Sequence, residues 1–259
     1  MTYSKQQKFW NRIAGRYAAR PLKDVAAYDA MLSDIASRLK LSDRVLELGC
    51  GTGGTAIRLA AQVSHWAATD FSSEMIAIAR AKPAGKNVVF QVADATNAFD
   101  GGPFDVICAF NVLHLVDDQP STLDKVFANL KPGGLLISKT WCFADLKLKF
   151  RILFAVLRTV GMFPAVTPLT VSQLRQAIID TGFQIVEERV FRHILAEPLY
   201  RGAETKHGKL GRLSDRPCCA KLSSKASWPS TPEGRTDAFQ KSCHSGDFCA
   251  VGCFANARE

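Results

Sequence analysis

From Arg44 onward, short apolar runs alternate with segments whose apolar residues recur at helical spacing. This is the pattern of strand-helix-strand units built around a parallel sheet. The strands expected are "RVLEL" (44–48), "HWAATD" (65–70), "VVFQVAD" (88–94), "FDVICAFN" (104–111), "GLLISKTW" (134–141) and "FQIVEERV" (183–190). Six strands so spaced predict an α/β fold with a doubly wound, mostly parallel sheet flanked by helices.

The helices between them have readable ends. Ser72 is placed to cap "SEMIAIARA", and Thr170 with Gln173 makes a capping-box pattern before "LRQAIIDTG", which Gly182 closes. Asp117 and Asp118 suit a helix N-terminus. Pro132, Gly133 and Gly134 are expected to end a helix running to Leu130. Residues 5–40 read as one or two amphipathic helices, with Val25, Leu32, Ile35 and Leu39 on one face, packed across the mouth of the sheet. After about Tyr200 the chain turns rich in Gly, Ser, Pro and charge and loses its apolar periodicity. The expected division is a folded domain over 1–200 and an irregular C-terminal tail over 201–259.

Composition adds limits. A chain of 259 residues with 47% hydrophobic content can bury one sizeable core. The net charge of +9 is scattered along the sequence, so no nucleic-acid footprint is demanded. No secretory h-region and no long apolar run appear, and a cytoplasmic location is the expectation. Cys50, Cys108 and Cys142 then read as small buried hydrophobes. Cys218, Cys219, Cys243, His244, Cys249 and Cys253 contain no C-x-x-C pair, and no metal site is expected of them.

The chemistry starts at "RVLELGCGTGGTAIRLA". A strand running into a Gly-rich turn and then a helix brings backbone N–H groups and a positive helix end to one point, which suits a bound cofactor. One glycine would serve a tight turn, whereas Gly49, Gly51, Gly53 and Gly54 are all present. Gly49, Gly51 and Gly54 also satisfy the dinucleotide pattern G-x-G-x-x-G, with Asp70 about 20 residues further on. Glu47 tilts the choice toward a cationic or amine-bearing ligand, because a dinucleotide-binding strand usually stays apolar there.

"VLELGCGTG", "TDFSSEMI", "VADA", "FDVICAFNVLHLV" and "LKPGGLLI", taken in this order, resemble the successive motifs of the class I S-adenosylmethionine-dependent methyltransferases. The resemblance covers about residues 5–195, implies a Rossmann-like fold, and is to the small-molecule and lipid branch that includes quinone and phosphatidylethanolamine methyltransferases. It implies S-adenosylmethionine as cofactor, with Glu47, Gly49, Gly51 and Gly53 forming the loop under its methionine portion. Asp70 would take both ribose hydroxyls, as one carboxylate can through charge-assisted bonds. Asp94 and the Ala95 N–H would meet the adenine, Phe71 and Met75 would line the base or belong to the core, Asn111 would meet the amino-acid part, and Tyr17 would close over it. An NAD(P)-dependent oxidoreductase and a non-catalytic cofactor-binding protein are the rival readings.

Methyl transfer needs mainly alignment of a nucleophile with an already activated methyl group. His114 is the candidate base for a phenol or amine acceptor, with loop packing as its plainer role. The stretch 141–169 interleaves Lys147, Lys149, Arg151 and Arg158 with apolar residues. It fits a lid over a small-molecule or lipid-like acceptor, or a helix in peripheral contact with a membrane. The family's sheet ordinarily ends with a seventh, antiparallel strand beside the fifth. Either "DFCAVGCFANARE" supplies it across some fifty residues, a long loop for a compact domain, or the end of the chain is divergent.

Overall fold

The computed structural model describes residues 3–22, 24–193 and 248–257. Helices α1 (Tyr3–Ala18) and α2 (Val25–Ala36) lead into β1 (Arg44–Leu48), α3 (Gly54–Leu59), β2 (His65–Asp70), α4 (Ser73–Arg80) and β3 (Val88–Val92). The chain continues through β4 (Phe104–Phe110), α5 (Gln119–Ala128), β5 (Leu130–Trp141), α6 (Leu148–Thr159), α7 (Val171–Asp180), β6 (Phe183–His193) and β7 (Phe248–Ala257). The strands form one sheet in the order β3-β2-β1-β4-β5-β7-β6. Pairings from β3 across to β5 are parallel, and β7 is antiparallel to both its neighbours.

Helices cover both faces, which is why the central strands read as unbroken apolar runs rather than alternating ones. Successive residues of β1 serve opposite sides. Leu46 and Leu48 join Leu123 and Val126 of α5 and Leu174 and Ile178 of α7. Val45 joins Leu32 and Ile35 of α2, Leu59 of α3 and Ile76 of α4. The caps hold as the sequence implies: the Ser72 hydroxyl accepts from Met75 N, Asp118 accepts from Ser121 N, and Thr170 and Gln173 complete a reciprocal box.

One expectation changes, and one alternative left open by the sequence is answered. The helix before β5 ends at Ala128, and β5 already begins at Leu130, so Pro132-Gly133-Gly134 lies within the strand, near a register shift at Phe104/Val106. The helix after the glycine loop is only six residues long. And the seventh strand is present: β7 enters between β5 and β6, placing Val251, Cys253, Ala255 and Ala257 in the core on one face and Phe254 on the other. Arg38 stacks on the Phe254 ring at 3.8 Å and pairs with Glu187 of β6, tying α2 to this edge. The expected boundary near residue 200 therefore cuts off a strand that the sheet contains, and the irregular tail does not extend over 248–257. The stretch 194–247, with Cys218, Cys219, Cys243 and His244, lies outside the described residues. Among the described residues no helix is long and apolar enough to cross a membrane.

Candidate active site

The strand order reverses between β1 and β4, so their carboxyl ends open a crevice, the usual ligand position of such sheets. The glycine loop occupies it. Gly49, Gly51 and Gly53 all have positive φ, which side chains rarely adopt. Two of them answer to the protein's own packing: a Cβ on Gly49 would stand 2.8 Å from Val112 Cγ2, and one on Gly53 2.7 Å from the Phe90 ring. Gly51 differs. A Cβ there would meet only Tyr17 Cε1, at 3.8 Å. The loop is thus open to a ligand at Gly51, beneath Tyr17.

Asp70, at the end of β2, fastens this loop. Its Oδ2 accepts from Gly51 N and its Oδ1 from Ser72 N, both at 2.9 Å. Burial raises its carboxyl above the usual range, and the two N–H bonds pull the other way. Tyr17 is 46% exposed, yet its phenol is pushed upward, by desolvation first and then by Asp70 and Tyr28. The placement of Tyr17 depends on α1, which clasps the rim of the sheet. Gln7 Nε2 donates to Phe71 O at 2.7 Å, Ser72 Oγ to Asn11 Oδ1 at 2.6 Å, and Gln6 Nε2 to Leu115 O at 3.3 Å.

Glu47 is not presented at the surface of the loop. It is buried beneath it, with Trp66 Nε1 donating to its Oε2 at 3.1 Å. Desolvation lifts its carboxyl from 4.5 to about 8, against the lowering effect of the Trp66 bond. The folded protein therefore keeps a proton that the unfolded chain has lost. This stability is complete below about pH 4.5 and is lost as pH rises to about 8. Across that window the melting temperature should fall more steeply for the wild type than for Glu47→Gln, which has no proton to lose. Parallel slopes would exclude this burial effect.

The other sequence candidates are distributed around the crevice. Asp94 lies past the end of β3, half-buried, with its Oδ1 accepting from Thr96 N at 2.8 Å and Thr96 Oγ1 at 2.6 Å. Ala95 follows it, half-buried. Phe71 is half-buried at the entry to α4. Met75, on α4, is buried at 2% exposure. Asn111 is exposed at the end of β4 and is the sole non-glycine residue with positive φ among those described, its N–H bonded to Lys139 O at 2.6 Å. A short polar side chain tolerates this conformation better than most, and such local strain collects at functional sites.

His114 sits three residues beyond Asn111 and is buried, its Nδ1 without a partner. Burial pushes its imidazole down to about 4, so it is neutral near pH 7. The Phe143 ring lies 5.4 Å away, and Phe143 contacts Phe154 of α6 at 5.7 Å and Phe163 at 5.8 Å. Gln6 Oε1 is a second unpaired buried atom at this turn. Thr167 N donates to His114 O at 2.8 Å, so the 141–169 segment folds back onto this histidine.

A family model described as "Methyltransferase domain" matches residues 16–188, well over half of the chain. The chain belongs to this methyltransferase family. Curated relatives include a demethylmenaquinone methyltransferase of Clavibacter sepedonicus, 38% identical over 97 residues, which are 37% of this chain and 40% of that protein. A phosphoethanolamine N-methyltransferase of Arabidopsis thaliana is 33% identical over 108 residues, 40% of this chain and 22% of its own length. The matched region thus spans less than half of these relatives. Among solved structures, an S-adenosylmethionine-dependent methyltransferase of Mesorhizobium loti aligns with a TM-score of 0.58 at 18% identity, covering 90% of this chain and 99% of its own. One from Thermotoga maritima aligns at 0.59 and 18% identity, covering 98% and 100%. These solved structures share the Rossmann-like fold of this chain.

The cofactor implied by this methyltransferase family meets a fitting donor set. Gly51 leaves a cradle that a Cβ would fill, and the Asp70 oxygens each retain a lone pair after their backbone bonds. What the sequence did not disclose was the clasp of Gln6, Gln7 and Asn11, the Glu47–Trp66 bond, and Lys139 beside Asn111, whose ammonium burial lowers. Polar residues on an amphipathic helix look the same whether they meet water or a sheet rim, so no local signal marks the clasp.

Proposed function

We propose that the chain is a cytoplasmic enzyme that binds S-adenosylmethionine in the crevice between β1 and β4. It transfers the methyl group to a small hydrophobic acceptor, quinol- or lipid-like, held beside His114. The observation that carries the cofactor assignment is Asp70, fixed by two backbone N–H groups at the end of β2, directly below an open Gly51. In this reading Asp70 accepts both ribose hydroxyls, and Asp94, the Ala95 N–H and Phe71 receive the adenine. Gly49, Gly51 and Gly53 form the floor under the methionine portion, with Glu47 beneath; Asn111 holds its amino-acid end, and Tyr17 covers it. A dinucleotide pyrophosphate is disfavoured, since the Gly51 N–H is already given to the Asp70 carboxylate.

The bound cofactor supplies an activated methyl group on a sulfonium. The protein aligns the acceptor and excludes water. His114, kept neutral by burial, offers Nδ1 to the acceptor's hydroxyl or amine proton. Phe143, Phe154 and Phe163 provide the apolar wall that such an acceptor needs. The name of the demethylmenaquinone relative supports a quinol-like acceptor, and that of the phosphoethanolamine relative an amine acceptor.

The test is calorimetric titration with S-adenosylmethionine, then turnover to S-adenosylhomocysteine with quinols and ethanolamine compounds as acceptors. Binding without turnover on any acceptor would favour a non-catalytic role, and preferential binding of NAD(H) would overturn the reading. His114→Ala is expected to lower turnover by about 10² or more with cofactor affinity unchanged. Unchanged turnover would remove His114 from the chemistry.

A further inference from the structure

We propose that the outer face of α6, together with the basic face of α1 beside it, docks this protein onto an anionic lipid bilayer.

Helix α6 is apolar on two sides. Phe150, Phe154 and Leu157 are half-buried on its inner side. Leu148, Ile152, Val156 and Val160 recur every fourth residue and fall within roughly 120° of arc on the other. They are 67%, 56%, 53% and 62% exposed, and Met162 just beyond them is 70% exposed. No residue of α6 is buried. A contiguous exposed apolar ridge of this kind is uncommon on a soluble surface and marks a contact site.

Charge says what the ridge meets. Lys147, Lys149, Arg151 and Arg158 are exposed around it, and α6 contains no acidic residue. Helix α1 likewise carries Lys5, Lys8, Arg12 and Arg16, all exposed and on one face, with no acidic residue. The two sets are neighbours: Arg12 Nη2 donates to Gly161 O at 2.7 Å, at the end of α6. A cleft of about 300 Å³ lies at this junction, lined by Lys5, Lys8, Phe9, Arg12 and Gly161. Apolar side chains flanked by Lys and Arg are what the boundary between acyl chains and anionic headgroups accepts. A symmetric pair of copies joined through this face would set the same cations against each other. A bilayer instead supplies the opposite charge and an apolar layer to receive the ridge.

The experiment is cosedimentation of the full chain with vesicles of phosphatidylcholine alone or with about one-third phosphatidylglycerol. Binding is expected to the anionic vesicles only, and to weaken as salt shortens the reach of the charges. The double variant Ile152→Glu, Val156→Glu should bind about tenfold more weakly or worse. Lys5→Ala and Lys8→Ala should each cost about fivefold. Thermal melting verifies that each variant is folded, independently of any cofactor. No binding to anionic vesicles, equal binding to neutral ones, or undiminished binding by folded Glu variants would overturn the proposal. So would a dimer, seen by light scattering without vesicle binding, that Ile152→Glu dissolves.

Discussion

Replacing Asp70 with alanine is expected to weaken S-adenosylmethionine binding by about 30-fold or more, the loss of charge-assisted hydrogen bonds worth about 2 kcal/mol. The effect has two sources that separate experimentally. The first is direct, because the carboxylate would accept the ribose hydroxyls. The second acts through the loop: the same oxygens hold Gly51 N and Ser72 N, so the alanine leaves two N–H groups unpaired in a nearly buried place. Each costs about 1–3 kcal/mol where water cannot reach it. The melting temperature should therefore fall together with affinity. Asp70→Asn keeps one acceptor oxygen and loses the charge, and should lie between the alanine variant and the wild type on both measures. A folded Asp70→Ala protein that binds as tightly as the wild type in calorimetric titration would place the ribose elsewhere.

The second large effect distinguishes two glycines separated by a single residue, Thr52. Gly53→Ala is expected to lower the melting temperature by roughly 5–15 °C. Its φ of 77° strains any side chain, and its Cβ would stand 2.7 Å from the Phe90 ring and 3.1 Å from Ala79 Cβ. Left-handed backbone costs about 1–2 kcal/mol and overpacking about 1–3 more. Gly51→Ala carries the backbone strain alone, since its nearest neighbour is Tyr17 at 3.8 Å. That variant should melt only a few degrees lower, by roughly 2–8 °C, and yet lose most cofactor affinity, because the new methyl would occupy the cradle. Unchanged affinity in Gly51→Ala would show that the ligand does not approach the loop there.

The contrast between these two glycines shows where sequence reading stopped. The spacing of Gly49, Gly51 and Gly53 marks a loop that excludes side chains, but what does the excluding depends on Val112 and Phe90, which lie far along the chain. Glu47 is similar. Its carboxylate before the first glycine was legible, whereas its bond to Trp66 follows from the pairing of β1 with β2. Met75 reads equally as base wall or core from its helical position, and its burial at 2% exposure follows only from the tertiary packing around α4.

By itself the sequence determined the alternation of elements, the bounds of β1 and β2, the caps at Ser72 and Thr170, and the family motifs. These are local properties: apolar period, turn chemistry and capping act within a few residues, and neighbouring positions suffice to read them. The tertiary structure alone decided that β7 inserts between β5 and β6 despite the long interval, that β5 begins before Pro132, and that α1 clasps the site through Gln6, Gln7 and Asn11. Each of these joins residues distant in sequence. Closing such loops costs entropy that grows only slowly with length, so burial at the sheet edge can outweigh an interval that local reading counts as improbable.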